Sequence, residues 1–139
     1  MIRYKDYKEA LFNAMEGIAD RVYLERPQAI SSDKKVNSFI VVDVSGFLNN
    51  KELDPSGSYD YYTGQAYVSI FVRDKVTSKA MNQERINTLD DLMQKVHDKF
   101  PVVDRERGVK FCRPRFMVSA SDEDGFHYSL ISVRLTTYF

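Results

Sequence analysis

The stretch GQAYVSIFVRDK, residues 64–75, decides the fold. Ala66, Val68, Ile70 and Val72 alternate with Tyr67, Ser69, Phe71 and Arg73. Successive side chains of a strand point to opposite faces, so this period of two predicts a strand with two different faces, one of them carrying helices. Directly downstream, TSKAMNQERINTLDDLMQKVHDKFP (77–101) changes to a helical period. Met81, Ile86, Leu89, Met93, Val96 and Phe100 align on one stripe, Ser78 and Asn82 are the candidate N-caps, and Pro101 ends the run.

Upstream, SFIVVDVS (38–45) is β-branched and hydrophobic and reads as a strand covered on both faces. Before it lie a short extended piece, Val22–Leu24, and an amphipathic helix over about residues 4–20. In that helix Tyr4, Tyr7, Leu11, Ala14, Met15 and Ile18 recur at three- and four-residue steps. Between the two core strands, residues 46–62 read as a long loop. The last third holds two more strands, VKFCRPRFMVSAS (109–121) and FHYSLISVRLTTYF (126–139), joined by DEDG, whose Asp-Gly is a hairpin signal. Pro114 lacks a backbone donor, which predicts that the first of these is an edge strand, bulged or bent near Arg113. In the last strand Ile131, Val133 and Leu135 share one face, and Ser132, Arg134 and Thr136 the other. The element order is thus α-β-β-β-α-β-β. It predicts a single α+β domain over 1–139, with an antiparallel-rich or mixed sheet of four to five strands and two helices on one face.

Composition agrees with one ordinary globular domain: 139 residues, 43% hydrophobic and 29% charged, enough to bury roughly two-thirds of the unfolded surface. A lone cysteine, Cys112, forms no internal disulfide and belongs to no CxxC pair, which points to a reducing compartment. The charged N-terminus, with Arg3, Lys5, Asp6, Lys8 and Glu9, lacks the apolar core of a signal peptide, and no run approaches the length of a membrane span. Twenty basic against twenty acidic residues leave no positive excess for specific nucleic-acid recognition.

The candidate catalytic and metal-binding residues do not make a site by spacing. His97, His127 and Cys112 have no ligand spacing, and a metal needs three or four converging ligands. Lys110 and Arg113 flank Cys112, a setting able to activate a thiol, but a buried strand cysteine is the simpler reading. SDEDGFH (121–127) lacks the distal glutamate of a calcium loop. Asp90 and Asp91 are neighbours on a helix, about 100° apart, and form no carboxylate pair. No catalytic residue, metal or cofactor is expected.

Two distributed features stand out instead. A basic stretch of Arg105, Arg107, Lys110, Arg113 and Arg115 is set against acids gathered elsewhere: Glu52, Asp54 and Asp60 in the long loop, and Asp122, Glu123 and Asp124 in the hairpin. A head-to-tail assembly needs two unlike, complementary surfaces, which such segregation supplies. The 46–62 loop also carries Phe47, Leu48, Tyr59, Tyr61 and Tyr62, and aromatic residues anchor protein interfaces. The loop is expected to order against a neighbouring copy. The alternative is a small-molecule or peptide-binding α+β module, with Tyr59, Tyr61 and Tyr62 lining a pocket.

Four segments carry a resemblance: YKEALFNAMEGIADRVY (7–23), SFIVVDVS (38–45), YVSIFVRDK (67–75) leading into a long helix, and HYSLISVRLTTYF (127–139). In order and character they resemble the tail terminator, or tail-completion, proteins of long-tailed bacteriophages and prophages. Where those proteins often open the core strand with a proline and an aromatic, this chain has Ser38 and Phe39. The resemblance implies a non-enzymatic virion-assembly protein that forms a hexameric ring on the tail-tube protein and offers a surface to the head-completion protein. It implies assembly in the bacterial cytoplasm and a final place in the virion tail or neck.

Overall fold

The computed structural model describes residues 4–25, 36–44, 49–53, 60–73, 79–116, 120–121 and 125–137; for Tyr4, 49–53, 60–62, 79–87 and 120–121 it describes the backbone alone. Helix α1 spans Tyr4–Met15, followed by strands β1 (Arg21–Tyr23), β2 (Ser38–Val44), β3 (Asn49–Leu53) and β4 (Asp60–Arg73). Helix α2 spans Lys79–His97 and precedes β5 (Val102–Asp104), β6 (Val109–Phe116), β7 (Ala120–Ser121) and β8 (Phe126–Thr137). The α+β class holds. The main path of the mixed sheet is β1-β2-β4-β8-β6-β5, with β3 paired to β4 and β7 to β8, so there are more strands than the four to five expected. The added strands β3, β5 and β7 have five residues or fewer, too few to show a period.

The alternation in 64–73 builds the core directly. Val44, Val42 and Ile40 stand opposite Ala66, Val68 and Ile70, and across β4 the same residues meet Val133, Ile131 and Ser129. All these apolar side chains are buried with Tyr7, Ala10, Leu11 and Met15 of α1 and Leu89, Leu92 and Val96 of α2. Both helices therefore cover one face of the sheet, α1 on β2 and α2 on β4 and β8. On α2, Leu89, Leu92 and Val96 are buried and Met93 is half-buried, and Asn82 lies inside the helix, so it is not the N-cap; Ser78 and the side chains of Met81 and Ile86 lie outside the described residues.

Helix α1 stops about five residues before the predicted end, because Gly17 takes the left-handed conformation at φ 84° and Ile18 N–H donates to the Met15 carbonyl. Asp20 then ties the chain to the start of β2. Its Oδ2 accepts from the backbone N–H of Asn37 at 2.9 Å and of Ser38 at 3.2 Å, while its own N–H donates to Ser38 Oγ. This places β1 parallel to β2, Val22 opposite Ile40.

Among the described residues, the second face of the sheet is packed at one end only. Phe39 stacks on Phe71 with centroids 4.4 Å apart, Phe126 meets Phe39 edge-on, and Val36 completes this smaller core. Arg73 closes it, with its guanidinium 4.8 Å from the Phe126 ring centroid and Nη2 donating to the Val36 carbonyl at 2.9 Å. Strand β2 is consequently covered on both faces through Ile40 but exposes Asp43 beyond, so the two-sided burial expected for 38–45 holds for its first half.

The long loop is the main correction. Much of 46–62 is a hairpin, with Asn49, Asn50, Glu52 and Leu53 of β3 pairing with Thr63, Tyr62, Tyr61 and Asp60 at the start of β4. Extended backbone is stabilised by pairing its polar groups whatever the side chains, and a polar, tyrosine-rich strand gives no period of two to read. Nor is all of β6 an edge. Its first residues pair with β5, and among the described strands only the part carrying Pro114 has β8 as its single neighbour.

Candidate functional site

The open part of the second face is built by a bulge. Cys112 stands opposite Arg134 and Arg115 opposite Ser132, so Arg113 and Pro114 together face the single Val133. Arg113 accommodates the extra residue at φ 56°, the left-handed region that side-chain-bearing residues enter at a cost. Pro114 donates no ladder hydrogen bond and fits where the pairing is already broken. One inserted residue reverses the alternation downstream: Lys110 and Cys112 share a face with Arg115, and Phe116 turns to the helix side, where it stacks on His97 at 5.1 Å. Without the bulge, Arg115 would point toward the helices.

The result is a cleft of about 370 Å³ lined by Thr63, Gly64 and Gln65 of β4, Arg113 and Arg115 of β6, and Ser132, Val133 and Arg134 of β8. Register centres it, since Arg134 lies between Gln65 on one side and Cys112 on the other. Arg113 and Arg115 are exposed and Arg134 is half-buried. No carboxylate of a described residue lines the cleft, and none of the three arginines forms an ion pair with a described residue. Tyr67 O–H donates to Gln65 Oε1 at 3.3 Å, which leaves the Gln65 NH₂ as the donor end of that amide.

The rest of the basic stretch behaves differently. Arg107 is tied to carboxylates of this chain: its Nη1 donates to Asp104 Oδ2 at 2.9 Å, its backbone N–H donates to Asp104 Oδ1 at 3.0 Å, and Nη2 lies 3.6 Å from Glu9. The Asp104 hydrogen bond, with both carboxylates nearby, raises the Arg107 pKa. For Asp104, partial burial pushes the carboxyl up, but the hydrogen bonds and charge of Arg107, with the Glu106 backbone N–H, outweigh it and leave the pKa below the ordinary 3.8. Arg107 thus fastens α1 to the turn between β5 and β6. Arg105, in the same turn, is exposed.

Other predicted positions scatter. Phe47, Leu48, Tyr59, Asp54 and Asp122–Asp124 lie outside the described residues, and Tyr61 and Tyr62 enter β4 as backbone. His97 ends α2, His127 pairs with Val72 at the start of β8, and Cys112 is half-buried on β6. Among the described residues, no three of His, Cys, Asp and Glu gather as metal ligands, and Asp90 and Asp91 are both exposed. No described helix is long and apolar enough to cross a membrane. The sequence reading missed Arg134 as a partner of Arg113 and Arg115. Its signal was the shared face of Ser132, Arg134 and Thr136, but only the register shows which strand lies beside it.

The large apolar side chains left exposed among the described residues are Leu24, Val103 and Phe116, at 39%, 53% and 49%. They sit at opposite ends of the sheet, Leu24 just after edge strand β1, and Val103 and Phe116 on β5 and β6. No protein-family model matches the chain, and comparison with curated proteins finds no significant match.

Proposed function

We propose that this protein is a non-catalytic assembly subunit of the tail-terminator type. In this reading it docks head-to-tail with copies of itself into a ring on a tail tube and offers a further surface to a head-completion protein. The observation that carries the reading is the unlike pair of sheet edges, Leu24 beyond β1 at one end and Val103 with Phe116 at the other. An interface between two different patches of one chain is heterologous, and it closes into a ring when its rotation permits. Both edge strands have three residues, so the contact would rest on side chains more than on a continued ladder. Arg105 flanks Val103 on the β5 side. The aromatic segment Phe47, Leu48, Tyr59, Tyr61 and Tyr62 belongs to the same proposal as a contact to the neighbour or the tube.

Leu24→Glu and Val103→Glu test it together. Wild-type protein is expected to form species larger than dimers in light scattering over a dilution series, and each variant alone to be mostly monomeric, since interface anchors are worth about 2 kcal/mol or more. Mixing the variants restores one good contact, that between the intact edges, and yields a dimer that goes no further. Wild-type protein that stays monomeric up to about 0.1 mM, a concentration set by weak-affinity arithmetic, would sink the reading.

A further inference from the structure

We infer that the cleft between β4, β6 and β8 is a binding site for a small oxyanion carrying two or more negative charges, of the phosphate or polycarboxylate class. Three arginines, Arg113, Arg115 and Arg134, line one concavity, and no carboxylate of a described residue lines it with them. Among the described residues none of them has an acidic partner, in contrast to Arg107, which is clamped by Asp104 and Glu9. Like charges gathered in one cleft repel, and an anion placed among them removes that cost. Arginine's planar fork matches the paired oxygens of carboxylate and phosphate, and three forks call for a ligand with several oxygens.

The geometry is specific rather than a general basic surface. The bulge holds Arg113 in a backbone conformation that costs energy and reverses the alternation so that Arg115 joins Arg134 on one face. Bulges that re-aim a side chain in this way are concentrated next to functional sites. Thr63, Ser132 and the Gln65 amide add uncharged hydrogen-bonding groups to the walls. A volume of about 370 Å³ falls at the small end of ligand pockets, too confined for a duplex and ample for a pyrophosphate or a tricarboxylate. The site needs no second copy, so it stands independently of ring assembly.

Isothermal titration of the full chain with inorganic pyrophosphate and, separately, with citrate at matched ionic strength tests the inference. Saturable binding of one equivalent of either is expected, and the tighter of the two identifies the phosphoryl or the carboxylate source. Arg115→Gln with Arg134→Gln should weaken it at least tenfold. Arg113→Gly, which relieves the backbone while removing the guanidinium, should weaken it with thermal stability close to that of wild type. Arg105→Gln, outside the cleft, should leave binding unchanged. Absence of saturable binding to both anions, or binding undiminished in the Arg113 and Arg115/Arg134 variants, would overturn the assignment.

Discussion

A single residue at an unusual backbone angle shapes the open face. Arg113 pays a conformational cost of about 1 kcal/mol at φ 56°, and glycine there is free of that cost but loses more chain entropy on folding. Arg113→Gly should therefore lie within about 1 kcal/mol of wild type in urea unfolding, whereas Arg113→Val, β-branched and disfavoured at positive φ, should destabilise by about 1–3 kcal/mol. Asp104 makes a prediction of the same scale in pH. Its folded pKa lies below the ordinary 3.8, so the unfolded chain binds the proton more readily between the two values. The contribution is complete above the ordinary value and is lost as pH falls through the folded one. Asp104→Asn should have a lower urea midpoint at neutral pH and a shallower fall on acidification than wild type.

At the scale of elements, the ends are decided by a few backbone constraints. Gly17 closes α1 in the left-handed conformation, with open space around the position of a Cβ, so alanine there is strained by its backbone alone. Gly17→Ala should cost about 1 kcal/mol, seen as a lower urea midpoint with unchanged slope. Asp20 performs the next step, replacing two missing backbone acceptors at the start of β2 with one carboxylate oxygen. The β6 bulge is an element-level device as well. It keeps Phe111 and Phe116 both on the helix side and Cys112 and Arg115 both on the open side, placements that a regular strand, in which residues three or five apart lie on opposite faces, cannot satisfy together.

The whole molecule depends on one doubly used sheet. Ile70 and Val133 sit at its centre, on the face shared by both helices, with 0% and 2% exposure. An aspartate at either place would bury an unpaired charge costing several kcal/mol against a total stability of about 5–15 kcal/mol. Ile70→Asp and Val133→Asp should each abolish the folded far-UV circular dichroism signal. Substitutions at Leu24, Val103, Arg115 or Arg134 should leave that signal intact and change only association or anion binding. This separation follows from the architecture: the helix-covered face supplies stability, and the edges and open face are available for recognition.

Local patterning determined much of this protein. The alternation of residues 64–73, the helical stripes at Tyr7, Leu11 and Met15 and at Leu89 and Val96, and the Pro114 irregularity follow from side-chain geometry and missing backbone donors, and all three are present in the folded chain. Pattern assigns a residue to a face, and so Arg134 was placed with Ser132 and Thr136. It does not say which strand lies alongside, because register is set by pairing between segments distant in sequence and by a bulge that shifts it. Only the tertiary structure brought Arg134 beside Arg113 and Arg115, removed Arg107 from that group through Asp104 and Glu9, and turned part of a polar tyrosine segment into a strand through its backbone.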